Sequence, residues 1–319
     1  MIRAIDLDDN SEKEIDVKSL RTLSLINVWL ELVNPTNEEL QEVSAKIGVS
    51  KNFLELPKTV DYIKLRLEDD LVGINFVMLK DDIATEEYDP IVIIFSKSLL
   101  VTVLKSADQR AIAMAKARMN KIKVDPPSQV AFLIIDEIVS GHYGQLEKLE
   151  ELTSHVEEEV VERTTQDTLK KIFNLKTKLV GFNKTLWYER GLIFNLKTCG
   201  DTCMPTKIQT LFNTTHEDLT RQIDIVETYR EILSDAINVH LSAVSNKINL
   251  SIQSLTVVIF YLTVITTLTA FPNTVATFFG ISQFGNTNVG IILIAIVLST
   301  ILPLLWLWRR KWLKYKPQF

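Results

Sequence analysis

The chain has 319 residues and a formal net charge of −5, and this charge is distributed unevenly. The 61 residues between Lys247 and Arg309 contain no Asp, Glu, Lys or Arg, whereas the residues from Arg309 onward carry five cations and no anion. This distribution excludes a protein that is soluble over its whole length. The sequence also contains no phosphate-binding loop of the G-x-x-x-x-G-K-[ST] type and no catalytic constellation. We therefore predict that the chain is not an enzyme and has neither an organic cofactor nor a nucleic-acid partner.

Residues 1–125 are predicted to form an α+β head. Thr36 followed by Glu39 is a capping box, and it opens a helix that ends near Gly48. A second helix is predicted over about residues 107–120. Strands are predicted from three runs that are rich in β-branched and aromatic residues, namely 24–35, 59–79 and 89–105.

Residues 126–206 show no strand signals and are predicted to form an antiparallel pair of helices, 127–163 and 164–198. The first helix is acidic over Glu147–Glu162, and the second is basic over Lys170–Lys184. Because these charges are opposite, the two polar faces are expected to meet. The acidic run has two interpretations: it is either a solvated face or a face that gathers cations.

The longest predicted element begins at Lys207, since neither Gly nor Pro occurs from there to Phe271. Apolar residues recur at helical spacing, and a helix of this length extends about 100 Å. We assign residues 207–254 to a stalk and residues 255–279 to a first transmembrane helix that lines a pore. A solitary helix of this length is unstable, and two spans cannot enclose an aqueous path. A homo-oligomeric ring around this helix is therefore predicted.

Two membrane spans, 255–279 and 289–308, are each long enough to cross a bilayer core of about 30 Å. The segment 280–288 connects them, and residues 309–319 form a basic tail. The positive-inside rule keeps this tail in the cytoplasm. The N-terminal body has no signal-peptide core and lies on the same side, so 280–288 faces outward. The chain is thus predicted to be a multi-pass protein of the cell membrane, embedded in the lipid bilayer with both termini cytoplasmic.

Polar side chains recur at steps of three or four residues along one face of the long helix, which predicts the lining of a path for water or ions. Interhelical hydrogen bonding between small polar residues is the alternative, particularly for the threonines. Ile252 and Leu255 are a candidate apolar constriction that closes by dewetting. The predicted pore-lining residues are Asn238, Ser245, Asn249, Ile252, Leu255, Thr256, Ile259, Thr263, Thr266 and Ala270.

The outward segment offers only neutral polar groups. Mg²⁺ holds its water tightly, and neutral amides and hydroxyls bind the hydration shell without trapping the ion as a ring of carboxylates does. An ordinary short polar turn explains the same composition equally well. The candidate outer-mouth residues in this segment are Ser282, Gln283, Asn286 and Asn288.

Three segments resemble one known family. "ETYREILSDAINVHLSAVSNKINLSIQSLT" (227–256) is similar to the segment that enters the first membrane helix of the CorA family of divalent-cation transporters. "WLELVNPTNEEL" (29–40) and "RRKWL" (309–313) resemble the family's early segment and basic C-terminus. The resemblance covers essentially the whole chain and implies a funnel-shaped homopentamer. It also implies that Mg²⁺, or another divalent cation such as Co²⁺ or Ni²⁺, enters the cytoplasm through the first spans and closes the pore by binding to the heads.

The family's Gly-Met-Asn signature at the end of the first span is missing. When residues are counted from Asn249 without gaps, the position of this signature falls on Asn273, Thr274 and Val275. If the span is about two turns longer, the position begins at Gly280, and only the glycine of the signature is retained. Pro272 frees a backbone carbonyl near the outer end of the span. This carbonyl, together with Asn273, is our candidate for replacing part of the missing filter.

The family's regulatory cation ligands are matched only in part. An acidic stalk position aligns with Thr214, and an acidic pore position aligns with Asn238, while Asn249 matches the family's pore asparagine. The nearest acidic residues that could serve instead are Glu217 and Asp218 on the stalk and Asp81, Asp82, Glu86, Glu87 and Asp89 in the head.

Two other functions stay open from the sequence. A Zn²⁺ transporter of the same fold, with or without proton coupling, fits the same arrangement. A non-conducting membrane protein whose acidic head senses cations is the second, although the polar face from Asn238 to Thr274 argues mildly against it. Uptake of Mg²⁺, Co²⁺, Ni²⁺ and Zn²⁺ at two pH values would separate the transport alternatives.

Overall fold

A computed structural model describes most of the chain. The described residues are 1–59, 62–68, 70–79, 88–106, 110–121, 127–162, 165–200, 203–279 and 289–309. Several predicted site residues lie outside this set: Asp81, Asp82, Glu86 and Glu87 of the head, and Gly280, Ser282, Gln283, Asn286 and Asn288 of the outward segment.

Strands and helices within the described residues have the following bounds. The strands are β1 (Ile2–Asp6), β2 (Glu12–Ile15), β3 (Val28–Val33), β4 (Lys64–Glu68), β5 (Leu71–Leu79), β6 (Tyr88–Phe95) and β7 (Leu99–Leu104). The helices are α1 (Val17–Thr22), α2 (Asn37–Ile47), α3 (Arg110–Met119), α4 (Pro127–Glu162), α5 (Gln166–Thr198), α6 (Thr206–Phe279) and α7 (Val289–Arg309).

The described strands form one mixed sheet in the order β2-β1-β3-β7-β6-β5-β4. Neighbouring strands pair antiparallel except β3 and β7, which run parallel with Trp29 opposite Leu100. Every residue of β3 and β7 is buried, as expected for central strands of a sheet that is covered on both faces. The sequence does not predict β1 and β2, since β1 has only five residues and three of the four residues of β2 are charged.

Helices cover both faces of the sheet. On one face, α1 and α2 contribute Leu20 and Val43 to a core with Leu30 of β3. On the other face, α3 and α4 pack against the side of the sheet that carries Trp29. Burying a tryptophan leaves its N–H in need of a partner. Trp29 Nε1 therefore donates a hydrogen bond of 2.9 Å to Thr102 Oγ1 on β7.

The predicted capping box at the start of α2 is confirmed. Thr36 Oγ1 accepts a hydrogen bond from the Glu39 backbone N–H, and Glu39 Oε2 accepts one from the Thr36 N–H at 2.7 Å. Gly48 follows the helix with φ +78°, a left-handed conformation that glycine adopts without steric cost. The two ends of α2 are thus fixed by local sequence.

The pair of helices α4 and α5 packs through apolar residues, so the prediction that their polar faces meet is wrong. Leu149 of α4 and Leu179 and Leu186 of α5 are buried in one core that also contains Leu219 and Leu233 of α6. Charges meet at the rim of this core, where Lys171 of α5 pairs with Glu159 of α4 at 2.9 Å. Apolar burial dominates because an exposed ion pair contributes little.

The chain separates into two compact units, Met1–His240 and Leu241–Phe319. The first contains the sheet, α1 to α5 and the first part of α6. The second contains the rest of α6 and α7. Pro272 lies inside α6, which continues to Phe279.

Candidate functional site

An exposed polar face runs along the part of α6 that belongs to the first unit. Its residues form two series with a seven-residue spacing, which keeps each series on one side of a helix. Leu219, Val226 and Leu233 have the same spacing and are buried on another side of the helix. The two exposed series are Thr214, Arg221, Thr228 and Asp235, and Glu217, Asp224, Glu231 and Asn238.

Two series with the same spacing occur along the part of α6 that belongs to the second unit. All their members are exposed in the single chain: Ser242, Asn249, Thr256, Thr263 and Ala270, and Ser245, Ile252, Ile259 and Thr266. Nine of the ten predicted pore-lining residues belong to these series or to the one ending at Asn238. The tenth, Leu255, is exposed beside Thr256. Pore lining itself stays a prediction.

Threonine hydroxyls along this face bond to the helix backbone. Thr256 Oγ1 donates to the Ile252 carbonyl at 2.8 Å, and Thr263 Oγ1 donates to the Ile259 carbonyl at 2.8 Å. A hydroxyl has a single hydrogen but two lone pairs. Each hydroxyl therefore uses its hydrogen within the helix, and its oxygen can still accept a hydrogen bond. Acceptor oxygens suit a hydrated cation, because the hydrogens of its bound water point outward.

The outer end of α6 has a proline-specific feature. Pro272 has no N–H and cannot bond the carbonyl of Leu268 one turn earlier. Asn273 and Thr274 follow, and both side chains are exposed. The Thr274 hydroxyl donates to the Ala270 carbonyl at 2.8 Å. The candidate filter groups within the described chain are thus a carbonyl without its usual helical N–H donor, an exposed amide and an acceptor hydroxyl.

The candidate regulatory residues do not form a metal site within the described chain. Glu217 is exposed, and Asp218 lies 3.7 Å from Arg221, one turn further along α6. Among the described residues, no group of three or more His, Cys, Asp or Glu side chains is placed to hold a metal ion. Cation binding at Glu217 and Asp218 therefore stays a prediction that needs ligands from elsewhere.

His216, immediately before Glu217, lies in cationic surroundings. Burial lowers the pKa of His216, and the charges of Lys197 and Arg190 lower it further. Its imidazole is therefore neutral at neutral pH and adds no positive charge to the stalk.

A buried ionisable pair between α4 and α5 was missed by the sequence reading. His142 Nε2 lies 2.7 Å from Glu189 Oε2, and the two side chains are 2 % and 0 % exposed. Burial raises the pKa of Glu189, and the neighbouring His142 acts against that shift. The two residues are 47 positions apart, and no local pattern in the sequence indicates that they meet.

The second unit contains the features of a membrane protein. Helix α6 includes a stretch that is long and apolar enough to cross a bilayer. Helix α7 has 21 residues and no charge before Arg309. An α+β unit followed along the chain by helices with uncharged apolar stretches is typical of a membrane protein.

Comparison with known proteins identifies the family. The family described as CorA-like Mg²⁺ transporter protein matches residues 25–311, and the chain belongs to it. Members are transport proteins, which confirms the prediction that this chain is not an enzyme.

Individual relatives agree with this assignment. The cobalt/magnesium transport protein CorA of Thermotoga maritima is 32% identical over 127 residues, which cover 40% of this chain and 36% of that protein. The CorA protein of Methanocaldococcus jannaschii is 26% identical over 256 residues, covering 77% and 78%. The complete structure of the Methanocaldococcus jannaschii CorA magnesium transporter matches the fold with a TM-score of 0.69 at 20% identity, covering 97% of this chain and 98% of that one. The predicted α+β head with a long helix is thereby confirmed.

Proposed function

We propose that the chain forms a homopentameric channel in the cell membrane and conducts Mg²⁺, or a similar divalent cation such as Co²⁺ or Ni²⁺, into the cytoplasm. In this proposal α6 of each copy faces a common axis, and α7 lies outside it. The observation that carries the proposal is the exposed seven-residue series on α6, which places the polar side chains of Asn249, Thr256 and Thr263 within the uncharged apolar segment. Family membership supports the cation class.

Exposed hydroxyls on the first span support assembly of several copies. Thr256 and Thr263 would face hydrocarbon in a monomer, which is unfavourable for hydroxyls. Grouping several copies around an axis moves both residues away from lipid. Identical subunits that associate head to tail form a ring when the rotation between neighbours closes on itself. The number five comes from the family resemblance.

Neutral oxygen atoms along the axis suit a hydrated divalent cation. Mg²⁺ loses its water reluctantly, so a path that binds the outer face of the hydration shell avoids that barrier. The acceptor oxygens of Thr256 and Thr263 and the amide of Asn249 offer such contacts. No carboxylate lies between Lys247 and Arg309 to hold the ion for long.

Acidic residues of the stalk would attract cations toward this path. Glu217, Asp224 and Glu231 follow one another at seven-residue steps on the exposed face of α6. In a ring, each position becomes a circle of carboxylates that raises the local cation concentration. Arg221 lies between Glu217 and Asp224 along α6, and its positive charge weakens the negative potential there.

An apolar constriction is the proposed gate. Ile252, Leu255 and Ile259 are each exposed by more than half in the single chain. Around an axis they form successive apolar rings, and a narrow apolar ring excludes water and the ions it carries. Cations bound by Glu217 and Asp218 of the stalk, with Asp81 and Asp82 of the head, are proposed to hold these rings closed.

Flux measurements on the purified chain in liposomes test the proposal. Asn249→Ala should reduce Mg²⁺ flux about tenfold, because it removes the amide at the proposed mouth of the path. Ser251→Ala is the matched control, since Ser251 lies two residues further along and therefore on a different side of the helix. Absence of flux for every divalent cation in the natural protein would favour the non-conducting alternative. Equal flux in both variants would exclude Asn249 from the path.

A further inference from the structure

One exposed face of α5 is apolar at a regular spacing that neither the sequence resemblance nor the proposed path uses. Phe173, Val180, Trp187 and Phe194 follow one another at intervals of seven residues, and each is 49–51% exposed. These four residues, here called the α5 seam, extend about 30 Å along the helix. Most large apolar residues of the same helix, such as Leu179 and Leu186, are fully buried.

The α5 seam is narrow. The exposed residues between its members on the same face are Thr177, Lys184 and Gly191. A helix that lies on a membrane surface presents a broad apolar face. A single apolar residue in every seven, separated by small or long polar residues, instead gives a contact one side chain wide, which one neighbouring helix can cover.

The surroundings of the seam are cationic. The Arg190 guanidinium lies 3.9 Å from the centre of the Trp187 ring, and Lys197 Nζ lies 5.8 Å from the centre of the Phe194 ring. From Lys170 to Lys197 the helix carries seven Lys or Arg residues and one Glu, and that Glu is buried. The complementary surface is therefore an acidic helix.

The same chain supplies an acidic helix of the required length. Between Glu147 and Glu162, α4 carries seven Glu and one Lys, and most of these Glu residues are exposed. Within one chain α4 and α5 already pack through their apolar faces, so the seam and the exposed acidic face of α4 stay available to other copies. A basic face on one helix and an acidic face on its neighbour allow identical copies to associate head to tail.

The seam also lies beside the helix that the proposed function places around the axis. Lys176 Nζ donates a hydrogen bond of 3.3 Å to Ser234 Oγ of α6, and the Phe194 and His216 rings are 6.1 Å apart. These contacts place Phe194, at one end of the seam, close to α6 within the single chain.

We infer that the α5 seam is an interface between copies of this chain, and that it packs against the acidic face of α4 of the adjoining copy. This inference rests on the assembly of several copies in the proposed function. It assigns to α5 an assembly surface separate from the polar face of α6.

The native mass of the full chain in mild detergent tests the inference. Trp187→Glu should lower the fraction of the assembled species about tenfold at equal protein concentration, because buried tryptophans dominate such interfaces. Asn174→Glu and Asn195→Glu add the same charge at exposed positions of α5 outside the seam and should leave the mass unchanged. Circular dichroism of each variant checks that the helices are retained. If Trp187→Glu does not retain them, Lys184→Glu provides a second test, with a smaller expected loss.

Reversal of the partner's charge tests the other side. Glu151→Lys together with Glu158→Lys should lower the assembled fraction as Trp187→Glu does. An unchanged mass in this double variant would overturn the assignment of α4 as the partner. An unchanged mass in Trp187→Glu and Lys184→Glu, with the natural protein assembled, would overturn the seam itself. A natural protein that is monomeric would contradict the assembly on which the proposed function rests.

A lipid surface is the alternative partner of the α5 seam, and tryptophan fluorescence distinguishes it from a second copy of the chain. In liposomes that contain brominated lipid, the natural protein and Trp187→Phe should lose the same absolute fluorescence, since Trp187 lies between protein helices. Greater loss in the natural protein would place Trp187 in the bilayer and overturn the inference.

Discussion

The buried pair of His142 and Glu189 gives the first unit a pH-dependent stability. Burial raises the pKa of Glu189 above its ordinary value of 4.5, so the folded chain holds this proton to a higher pH than the unfolded chain does. The stability from this group is complete below about pH 4.5 and is lost as the pH rises through the folded pKa. Among the described residues, His142 is the titratable group whose charge acts on Glu189.

Glu189→Gln should remove this dependence, because the amide has a similar shape and does not titrate. The stability of the natural protein relative to Glu189→Gln should fall by up to ~1.4 kcal/mol per pH unit as the pH rises above 4.5. The measurement is thermal unfolding of both proteins in detergent over a series of pH values.

Glu159 provides a control, because its contribution to stability depends on pH in the opposite direction to that of Glu189. The hydrogen bond from Lys171 lowers the pKa of Glu159, so its stabilising effect is present above the unfolded pKa and is lost as the pH falls. Glu159→Gln should therefore reduce stability at neutral pH and have little effect in acid. A natural protein and Glu189→Gln with parallel pH profiles would contradict the raised pKa of Glu189.

Residues that act through their immediate neighbours were predictable, and those that act across the fold were not. Thr36 and Glu39 are three positions apart, and their hydrogen bonds follow from spacing alone. The contact between His142 and Glu189 depends on the register of two packed helices, which the sequence does not specify.

At the scale of elements, the outer end of α6 is the region with the least support from the family resemblance. Pro272 leaves one backbone carbonyl without its helical partner, and Asn273 follows with an exposed amide. Asn286 is the other candidate amide and lies outside the described residues. We propose that these groups bind the hydration shell of the cation at the outer mouth.

Asn273→Ala and Asn286→Ala in the liposome assay test this role. At least one of them should lower Mg²⁺ flux several-fold, since an alanine methyl offers no acceptor to bound water. Thr277→Ala is a suitable control, because the Thr277 hydroxyl bonds to the Asn273 carbonyl and its loss leaves both amides in place. Unchanged flux in both asparagine variants would reject the replacement filter.

The elements themselves differ in how well the sequence predicts them. Most of helix α6 was predictable because it comes from a long segment that has no Gly or Pro and whose apolar residues recur at helical spacing. Such a segment has few structural alternatives to a helix. Strands β1 and β2 were missed because their stability comes from pairing with each other and with β3, not from their own composition. The faces by which α4 and α5 meet were mispredicted because charge was given more weight than apolar burial.

On the scale of the whole molecule, a single sequence contains both the buried surfaces of one chain and the surfaces that other copies cover. The polar series of α6 and the α5 seam are exposed in one chain, and from their regular spacing we propose that other copies cover them. The α5 seam is not evident from the sequence, because nothing in its composition distinguishes Phe173 and Trp187 from the buried apolar residues of the same helix, whereas in the structure both are half exposed. The number of copies cannot be derived from periodicity, because rings of different size use the same helical face.

We propose that the membrane potential drives the ion through the assembled protein, whose sequence contains no nucleotide-binding loop. A potential of about 100 mV, negative inside, is worth ~2.3 kcal/mol per elementary charge, and thus ~4.6 kcal/mol for a divalent cation. Liposomes with an imposed potential of this size should therefore accumulate Mg²⁺ without ATP, toward a ratio of about 10³. Collapse of the potential should abolish accumulation, whereas an imposed pH gradient should have no effect. Accumulation that follows the pH gradient, especially with Zn²⁺, would instead establish the proton-coupled alternative.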